Sequence, residues 1–374
     1  MLLLVVLDGA GDLPCKELGG RTPLQAAHMP SLSSLPKTLG MLSIAGKIAP
    51  ESDTGVFSVL GFDPFKYKPG RGSLEAIGAG LELTKDCVAL RANFATVKDG
   101  KITDRRAGRI TTQDAKKLEE KINKGVMLSE KFAFKATAGH RGVLVLYGSD
   151  LSSQVSNTDP AYSKEGSLSN ANADFSSQTI PCKALSKNAE KTAALVNEFI
   201  SKASSVLSGE KANFILLRGA DYRPEKPPWL MKDWTIIADM PLEIGIGKLL
   251  GMQVISLKNT NNCPAGYEES AGLAMQALKN KNVYVHIKGP DLFGHDGDAL
   301  GKKKCLEEID KHFFGNIKHD KIAVTADHAT PCPLKGHSND AVPFCITGKG
   351  DKTKFAENAS APIKAQELMK IFQG

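Results

Sequence analysis

The seven cysteines, Cys15, Cys87, Cys182, Cys263, Cys305, Cys332 and Cys345, include no C-x-x-C pair. An odd, scattered set of this kind reads as neither a disulfide framework nor a thiolate zinc site, and it points to a reducing cytoplasm. Long apolar runs are absent too. The stretch from Met1 to Leu7 is too short for a membrane span and meets Asp8 at once, so neither a signal peptide nor a transmembrane helix is expected. Aromatic residues are scarce, at 6%, and the lysines are dispersed. The formal charge of +7 therefore lacks the basic and aromatic interleaving of a single-strand binder. No nucleic-acid partner is expected, and an anionic small substrate fits the charge equally well. No internal repeat is visible, and Asp8-Gly9-Ala10-Gly11-Asp12 lacks the G-x-G-x-x-G of a dinucleotide site.

What is present is ordinary globular material. A chain of 374 residues with 41% apolar and 24% charged positions suits two medium domains, or one large α/β domain carrying an insertion. Two Pro/Gly-rich crossings, Lys66 to Gly72 and Arg223 to Pro228, bracket a middle of roughly 150 residues, an ordinary domain size. They predict a smaller domain over 73–228 inserted into an outer domain made of 1–72 and 229–374. The outer parts carry short apolar runs, Leu2 to Leu7, Val254 to Leu257, Val283 to Ile287 and Ile322 to Thr325, alternating with helical stretches such as Leu300 to Phe314. Continuous apolar strands separated by helices predict an α/β fold with a doubly wound, mostly parallel sheet covered on both faces. The Ser/Asn/Ala-rich stretch Ser163 to Ser177 is expected to be a surface loop.

In an open sheet of this kind, ligands gather beyond the carboxyl ends of the strands. Asp8 follows the first apolar run directly, and Asp291 and His295 follow Val283 to Ile287, four apart across a glycine-containing loop. Asp327-His328 follows Ile322 to Thr325, and His337 sits in a short loop before Val342 to Ile346. Singly, each is more often a cap or a satisfied polar residue. Jointly, three Asp and three His at strand ends offer hard or borderline ligands for two divalent ions, not for thiolate-loving metals. His286, alternating within a strand, and His312, within a helix, read as structural, and His28 and His319 stay outside the cluster. Ser52 precedes a short helix predicted over Asp53 to Leu60, where backbone amides and the helix dipole favour anions. Alone it reads as a helix cap. Bound to a metal, its hydroxyl would be deprotonated and would attack phosphorus in line.

These residues resemble a known family. Val5-Val6-Leu7-Asp8-Gly9, the Ser52-Asp53 segment running into Val59-Leu60-Gly61-Phe62-Asp63-Pro64, Asp291-x-x-x-His295, Asp327-His328 and His337 together look like the cofactor-independent phosphoglycerate mutases. The closer likeness is to their shorter archaeal branch, within the alkaline phosphatase superfamily. It covers nearly the whole chain, through Arg71-Gly72 with Glu75-Ala76-Ile77-Gly78-Ala79-Gly80, Arg91-Ala92-Asn93-Phe94-Ala95-Thr96, Asp104-Arg105-Arg106-Ala107-Gly108-Arg109, His140-Arg141-Gly142 and Arg218-Gly219. The metal motifs belong to the superfamily at large, whereas the arginine motifs point to the mutase.

The resemblance implies an alkaline-phosphatase-like fold in which the insertion closes over the metal domain and presents either hydroxyl of glycerate to a phosphoserine. Ser52 would be the nucleophile, with Thr54 and Ser58 as weaker alternatives. Asp8, Ser52, Asp327 and His328 would hold one ion, and Asp291, His295 and His337 the other. Mn²⁺ leads, with Mg²⁺, Co²⁺ and Zn²⁺ open, and 2,3-bisphosphoglycerate is not required. Guanidinium forks bind a carboxylate and a phosphate bidentately. The substrate contacts expected are Arg91, Arg105, Arg109, Arg141 and Arg218, with Asn93, Asp104, His140 and Asp159 as polar partners. Asp104 or Asp159 would hold and deprotonate the glycerate hydroxyl. Two departures stand out: Thr54-Gly55-Val56-Phe57 lacks a histidine that longer relatives carry after the nucleophile, and Glu243 stands where a base is expected. A phosphatase, phosphodiesterase or phosphopentomutase on the same metal core is the alternative, and the oligomeric state stays open.

Overall fold

The computed structural model describes residues 1–46, 49–67, 70–165, 168–171, 176–225, 227, 229–260 and 262–373. The chain divides into two units, one of Met1–Lys66, Pro227–Asp239 and Leu250–Gly374, the other of Tyr67–Lys226 and Met240–Leu249.

The first unit is built on an eight-stranded sheet in the order Gln253–Ser256, Trp234–Ala238, Asn282–Ile287, Leu3–Leu7, Ile322–Thr325, Val342–Thr347, Lys37–Ser43 and Ile363–Lys364. Leu3–Leu7 pairs in parallel with Asn282–Ile287 on one side and Ile322–Thr325 on the other, so their carboxyl ends share one edge. Val342–Thr347 runs antiparallel to both its neighbours. Every residue of Leu3–Leu7 is buried, as a strand covered on both faces requires. The Val254 to Leu257 run departs from that pattern: Gln253–Ser256 is the terminal strand of the sheet and stays half exposed. Helix Ala299–His312 buries Cys305, Leu306 and Ile309 at the expected spacing, and Asp298 caps it by accepting from Gly301 N at 2.8 Å. The seven cysteines are free thiols. No helix among the described residues is long and apolar enough to cross a membrane.

The second unit centres on Cys87–Lys98, which pairs with Arg141–Tyr147, with Phe214–Asp221 and, at its carboxyl end, with Lys101–Asp104; Lys131–Ala136 pairs with Arg141–Tyr147 on its far side. Alternation along the strand splits its faces. Val88, Leu90, Ala92 and Phe94 enter a core with helices Thr112–Gly125 and Glu190–Val206. Ala89 on the opposite face packs with Ala76, Leu83, Val143 and Val145. Helices Arg71–Gly78 and Pro241–Leu249 cross on glycines: a Cβ on Gly78 would fall 1.7 Å from Pro241 O, and one on Gly245 1.9 Å from Leu74 O. That crossing ties residues 240–249 to the second unit, against the expectation that all of 229–374 belongs to the outer domain.

In the Pro/Gly-rich crossings, Lys68, Pro69, Lys226 and Pro228 lie outside the described residues. Within the stretch expected as a loop, Tyr162–Glu165 pairs antiparallel with Leu168–Ala171, while 166–167 and 172–175 lie outside the described residues. Strands this short and polar carry no apolar alternation from which they could be read.

Candidate active site

Three neighbouring strands deliver the acids of the first unit. Asp8 follows Leu3–Leu7, Lys288 and Asp291 follow Asn282–Ile287, and Asp327 and His328 follow Ile322–Thr325. Asp8, Asp327 and His328 are fully buried. Gly9 turns the chain at φ 59°, and a Cβ there would lie 2.5 Å from Thr330 Oγ1 and 2.8 Å from Asp291 Oδ1, so a side chain has neither the dihedral nor the space.

Two donor groups result. His328 Nε2 lies 3.2 Å from Asp8 Oδ1, 3.5 Å from Asp327 Oδ2 and 3.3 Å from Ser52 Oγ. Asp291 Oδ1 lies 3.5 Å from His295 Nε2 and 3.6 Å from His337 Nε2. Asp291 and His295 converge by a route other than the expected loop: Gly289–Asp296 is a helix, and a spacing of four places both on one face. His337 Nδ1 lies 2.9 Å from Pro50 O, and His295 Nδ1 3.4 Å from Lys335 O. A carbonyl only accepts, so each Nδ1 donates and each Nε2 keeps its lone pair for a cation, the usual outer support of a metal-binding histidine.

Ser52 opens helix Ser52–Val59, all of which is buried. A Cβ on Gly55 would fall 2.2 Å from Asp327 O, so glycine at this position lets the first turn lie against the Asp327 backbone. Of the alternative nucleophiles, Ser58 Oγ accepts from Gln366 Nε2 at 3.5 Å, and Thr54 N donates to Asp53 Oδ1.

Two residues of this site are missing from the sequence-based expectation. Lys288 donates to Asp8 Oδ2 and, at 3.0 Å, to Asp291 Oδ2, bridging the two donor groups. His286, read as structural, places Nε2 3.1 Å from Asp8 Oδ2 and Nδ1 2.8 Å from the Tyr284 hydroxyl. The available signal was the alternation Tyr284, His286, Lys288 along a strand neighbouring the one that ends in Asp8.

Charge follows from this crowding. Burial raises the Asp8 and Asp291 carboxyls, but Lys288 and the surrounding histidines outweigh it and hold both well below the ordinary range. Burial and the Asp8 carboxylate raise Asp327. Burial lowers His328, yet Asp327 and Asp8 lift it to about 9. Asp8 Oδ1 and Asp327 Oδ2 are buried and accept no hydrogen bond of good geometry. A site of oxygen and imidazole donors, with carboxylate oxygens left over, fits hard or borderline divalent cations.

The second unit carries a different constellation. Arg91 and Arg218 are Cα partners on adjacent strands, and Asn93 pairs with Arg141 across the other edge of the same strand. Arg91, Asn93 and Arg218 are buried. Arg91 is paired with Glu75, which also accepts from Arg71 Nε at 2.9 Å. Burial lowers Arg91 against the pull of Glu75, and Arg71, Arg218 and Arg141 lower it further, to about 9. Burial, then Arg141 and Arg91, push His140 down to about 3, so it is neutral at neutral pH. Arg91 Nε, Arg141 Nε and Asn93 Oδ1 are buried without a hydrogen-bond partner. The cluster is rich in cationic donors.

The other expected contacts are engaged elsewhere. Arg105 clamps Asp159 bidentately at 3.0 and 2.7 Å. Asp104 accepts from Arg106 N and Gly108 N at 2.8 and 2.6 Å, closing a turn on which Arg109 stands exposed at φ 55°. Glu243 is buried in the Pro241–Leu249 helix.

A family model described as 2,3-bisphosphoglycerate-independent phosphoglycerate mutase matches residues 38–213, and a metalloenzyme superfamily model matches residues 248–373. The 2,3-bisphosphoglycerate-independent phosphoglycerate mutase of Aeropyrum pernix is 38% identical over 95% of this chain and 93% of its own. That of Pyrococcus furiosus is 36% identical over 95% and 90%. Among solved structures, a cofactor-independent phosphoglycerate mutase from Thermoplasma acidophilum superposes with a TM-score of 0.60 at 27% identity, covering 100% of this chain and 98% of the other. A protein from Pyrococcus horikoshii reaches 0.79 at 26% identity over 99% and 96%. Relatives that match over nearly the whole chain leave one assignment: the chain belongs to the 2,3-bisphosphoglycerate-independent phosphoglycerate mutases, enzymes of the metalloenzyme superfamily.

Proposed function

We propose that this chain interconverts 3-phosphoglycerate and 2-phosphoglycerate through a phosphoserine at Ser52, without 2,3-bisphosphoglycerate, as a cytoplasmic step of glycolysis and gluconeogenesis. The observation that carries the proposal is Ser52 Oγ, 3.3 Å from His328 Nε2 on the first turn of a buried helix, beside Asp8 Oδ1 and Asp327 Oδ2, two buried carboxylate oxygens that accept no hydrogen bond. Asp8, Ser52, Asp327 and His328 would hold one divalent ion, and Asp291, His295 and His337 a second; oxygen and imidazole donors allow Mn²⁺, our first choice, as well as Mg²⁺, Co²⁺ or Zn²⁺, and availability selects among them. Such ions, when bound, lower the pKa of a coordinated hydroxyl and neutralise charge on a transferring phosphoryl group.

The chain's own residues account for the rest. Ser52 Oγ gives up its proton and forms a bond to phosphorus as the bond to the 3-oxygen of glycerate breaks, and that oxygen takes up the proton Ser52 has lost. Lys288, between Asp8 and Asp291, offers a further cation to the phosphoryl oxygens. Arg91, Arg141 and Arg218, with Asn93, grip the glycerate carboxylate with charge-assisted hydrogen bonds. Held this way, glycerate turns its 2-hydroxyl to phosphorus; the 2-oxygen bonds to phosphorus as the Ser52 Oγ–phosphorus bond breaks, and the proton lost from the 2-hydroxyl restores the Ser52 hydroxyl. Asp104 and Asp159 are already tied to backbone amides and to Arg105, so they support the fold of this region rather than proton transfer. Acid quenching during turnover should trap phosphate on Ser52, and Ser52→Ala should abolish both the trapped phosphate and isomerisation.

A further inference from the structure

Arg218 packs against an aromatic ring. Its Cζ lies 3.6 Å from the centroid of the Tyr162 ring, a face-on stack, and Arg105 Cζ lies 5.3 Å from the same centroid. From this geometry we infer that Tyr162 is a positioning residue that fixes the plane of the Arg218 guanidinium and thereby the grip on the substrate's carboxylate. The inference rests on the function proposed above.

Tyr162 is itself clipped to the strand residues on either side of Arg218. Thr158 N donates to Leu217 O and Leu217 N to Thr158 Oγ1, each at 2.8 Å. Gly219 N donates to Asn157 Oδ1 at 3.0 Å, and Asn157 Nδ2 donates to Tyr162 O at 3.0 Å. Tyr162 N donates to Asp159 O at 3.1 Å, and the Asp159 side chain, fully buried, is locked by the Arg105 fork. Residues 157–162 therefore lie against the Arg218 strand in a fixed register, with the ring over the guanidinium.

The choice of an aromatic partner matters chemically. Arg218 faces Arg91 as its cross-strand partner, and like charges so placed repel. A ring face holds the plane by stacking, without itself taking up an in-plane N–H. At Arg91 the neighbour is a carboxylate, Glu75.

The test combines the dissociation constant of 3-phosphoglycerate, measured by calorimetry, with KM and kcat for the wild type, Tyr162→Phe, Tyr162→Leu, Arg218→Ala and the Tyr162→Leu/Arg218→Ala double variant. Tyr162→Phe keeps the ring and should stay within about twofold of the wild type, whereas Tyr162→Leu should raise Kd and KM roughly tenfold with kcat changed less than about threefold. In the Arg218→Ala background Tyr162→Leu should have no further effect. Tyr162→Met, judged by the same criteria, replaces the leucine variant if that one does not fold. If the wild type binds 3-phosphoglycerate and the leucine variant binds it as tightly, or if the loss is as large without Arg218, the positioning role is wrong while the proposed function stands. If the wild type neither binds nor isomerises 3-phosphoglycerate, both fall together.

Discussion

The strand-end acids of the first unit and the arginine cluster of the second are fixed in different ways. Asp8 and Asp327 stand just beyond their own apolar strands and Asp291 in the helix that follows its strand, and parallel pairing of Leu3–Leu7 with Asn282–Ile287 and Ile322–Thr325 brings the strand ends to one edge. The arginines lie within strands, on the face opposite the main core, and meet only because Arg91 registers with Arg218 and Asn93 with Arg141. A site at strand ends survives small register errors, whereas a site on a sheet face does not: a slip of one residue turns every arginine into the apolar core. The first arrangement suits metal ligation, where a few atoms must converge. The second suits holding a larger anion along its length.

That contrast can be broken from either side. Ser52→Ala or Asp327→Ala should lower turnover at least about 1,000-fold with the circular dichroism unchanged, because in the proposed reaction those groups act on the phosphoryl group and they sit beyond the strands. Chelation should do the same, with Mn²⁺ or Co²⁺ restoring activity. Full activity in a metal-stripped sample would dissolve the first site as a metal centre. In the second unit the largest effect should fall on stability instead. Glu75→Gln leaves buried Arg91 without its carboxylate and should cost about 3–5 kcal/mol in denaturant titration.

Arg141→Ala should sharpen the comparison. Arg141 is half-buried and its Nε lacks a partner, so its loss should raise KM for 3-phosphoglycerate roughly 10- to 100-fold with a smaller change in kcat. An equal loss in kcat would place it with the phosphoryl-transfer residues. The smallest effect concerns pH. The folded pKa of His140 is about 3 against an ordinary 6.5, so the unfolded chain binds this proton first. Its contribution to stability is complete above pH 6.5 and is lost as pH falls toward 3. His140→Gln should flatten the stability profile in that window. Glu75, whose pKa is lowered by Arg91 and Arg71 against its burial, loses its contribution as pH falls through its own depressed value, so the Glu75→Gln profile should also be flatter in acid.

The same contrast explains what could be read from the sequence. Asp8, Asp327-His328 and His337 were legible because an apolar run flanks each of them, and a parallel sheet collects such positions at one edge. Asp291 and His295 were found by their spacing of four, although a helix produces it. His286 and Lys288 were hidden because a polar residue inside or just after a strand gives the same pattern whether it packs or functions. The helix Pro241–Leu249 was assigned to the wrong unit because its tie to Arg71–Gly78 is a glycine crossing between segments far apart in the chain. The arginines were named from family motifs. Their meeting depends on non-local register, which no local pattern encodes.

The proposed reaction turns on an internal transfer through Ser52, with glycerate retained by the arginines. The most direct measurement follows ³¹P signals during incubation with 3-phosphoglycerate, in the presence of Mn²⁺ and with or without added 2,3-bisphosphoglycerate. The account predicts 2-phosphoglycerate forming at the same rate in both samples with little inorganic phosphate. An absolute requirement for the bisphosphate, or stoichiometric release of inorganic phosphate with no 2-isomer, would contradict it.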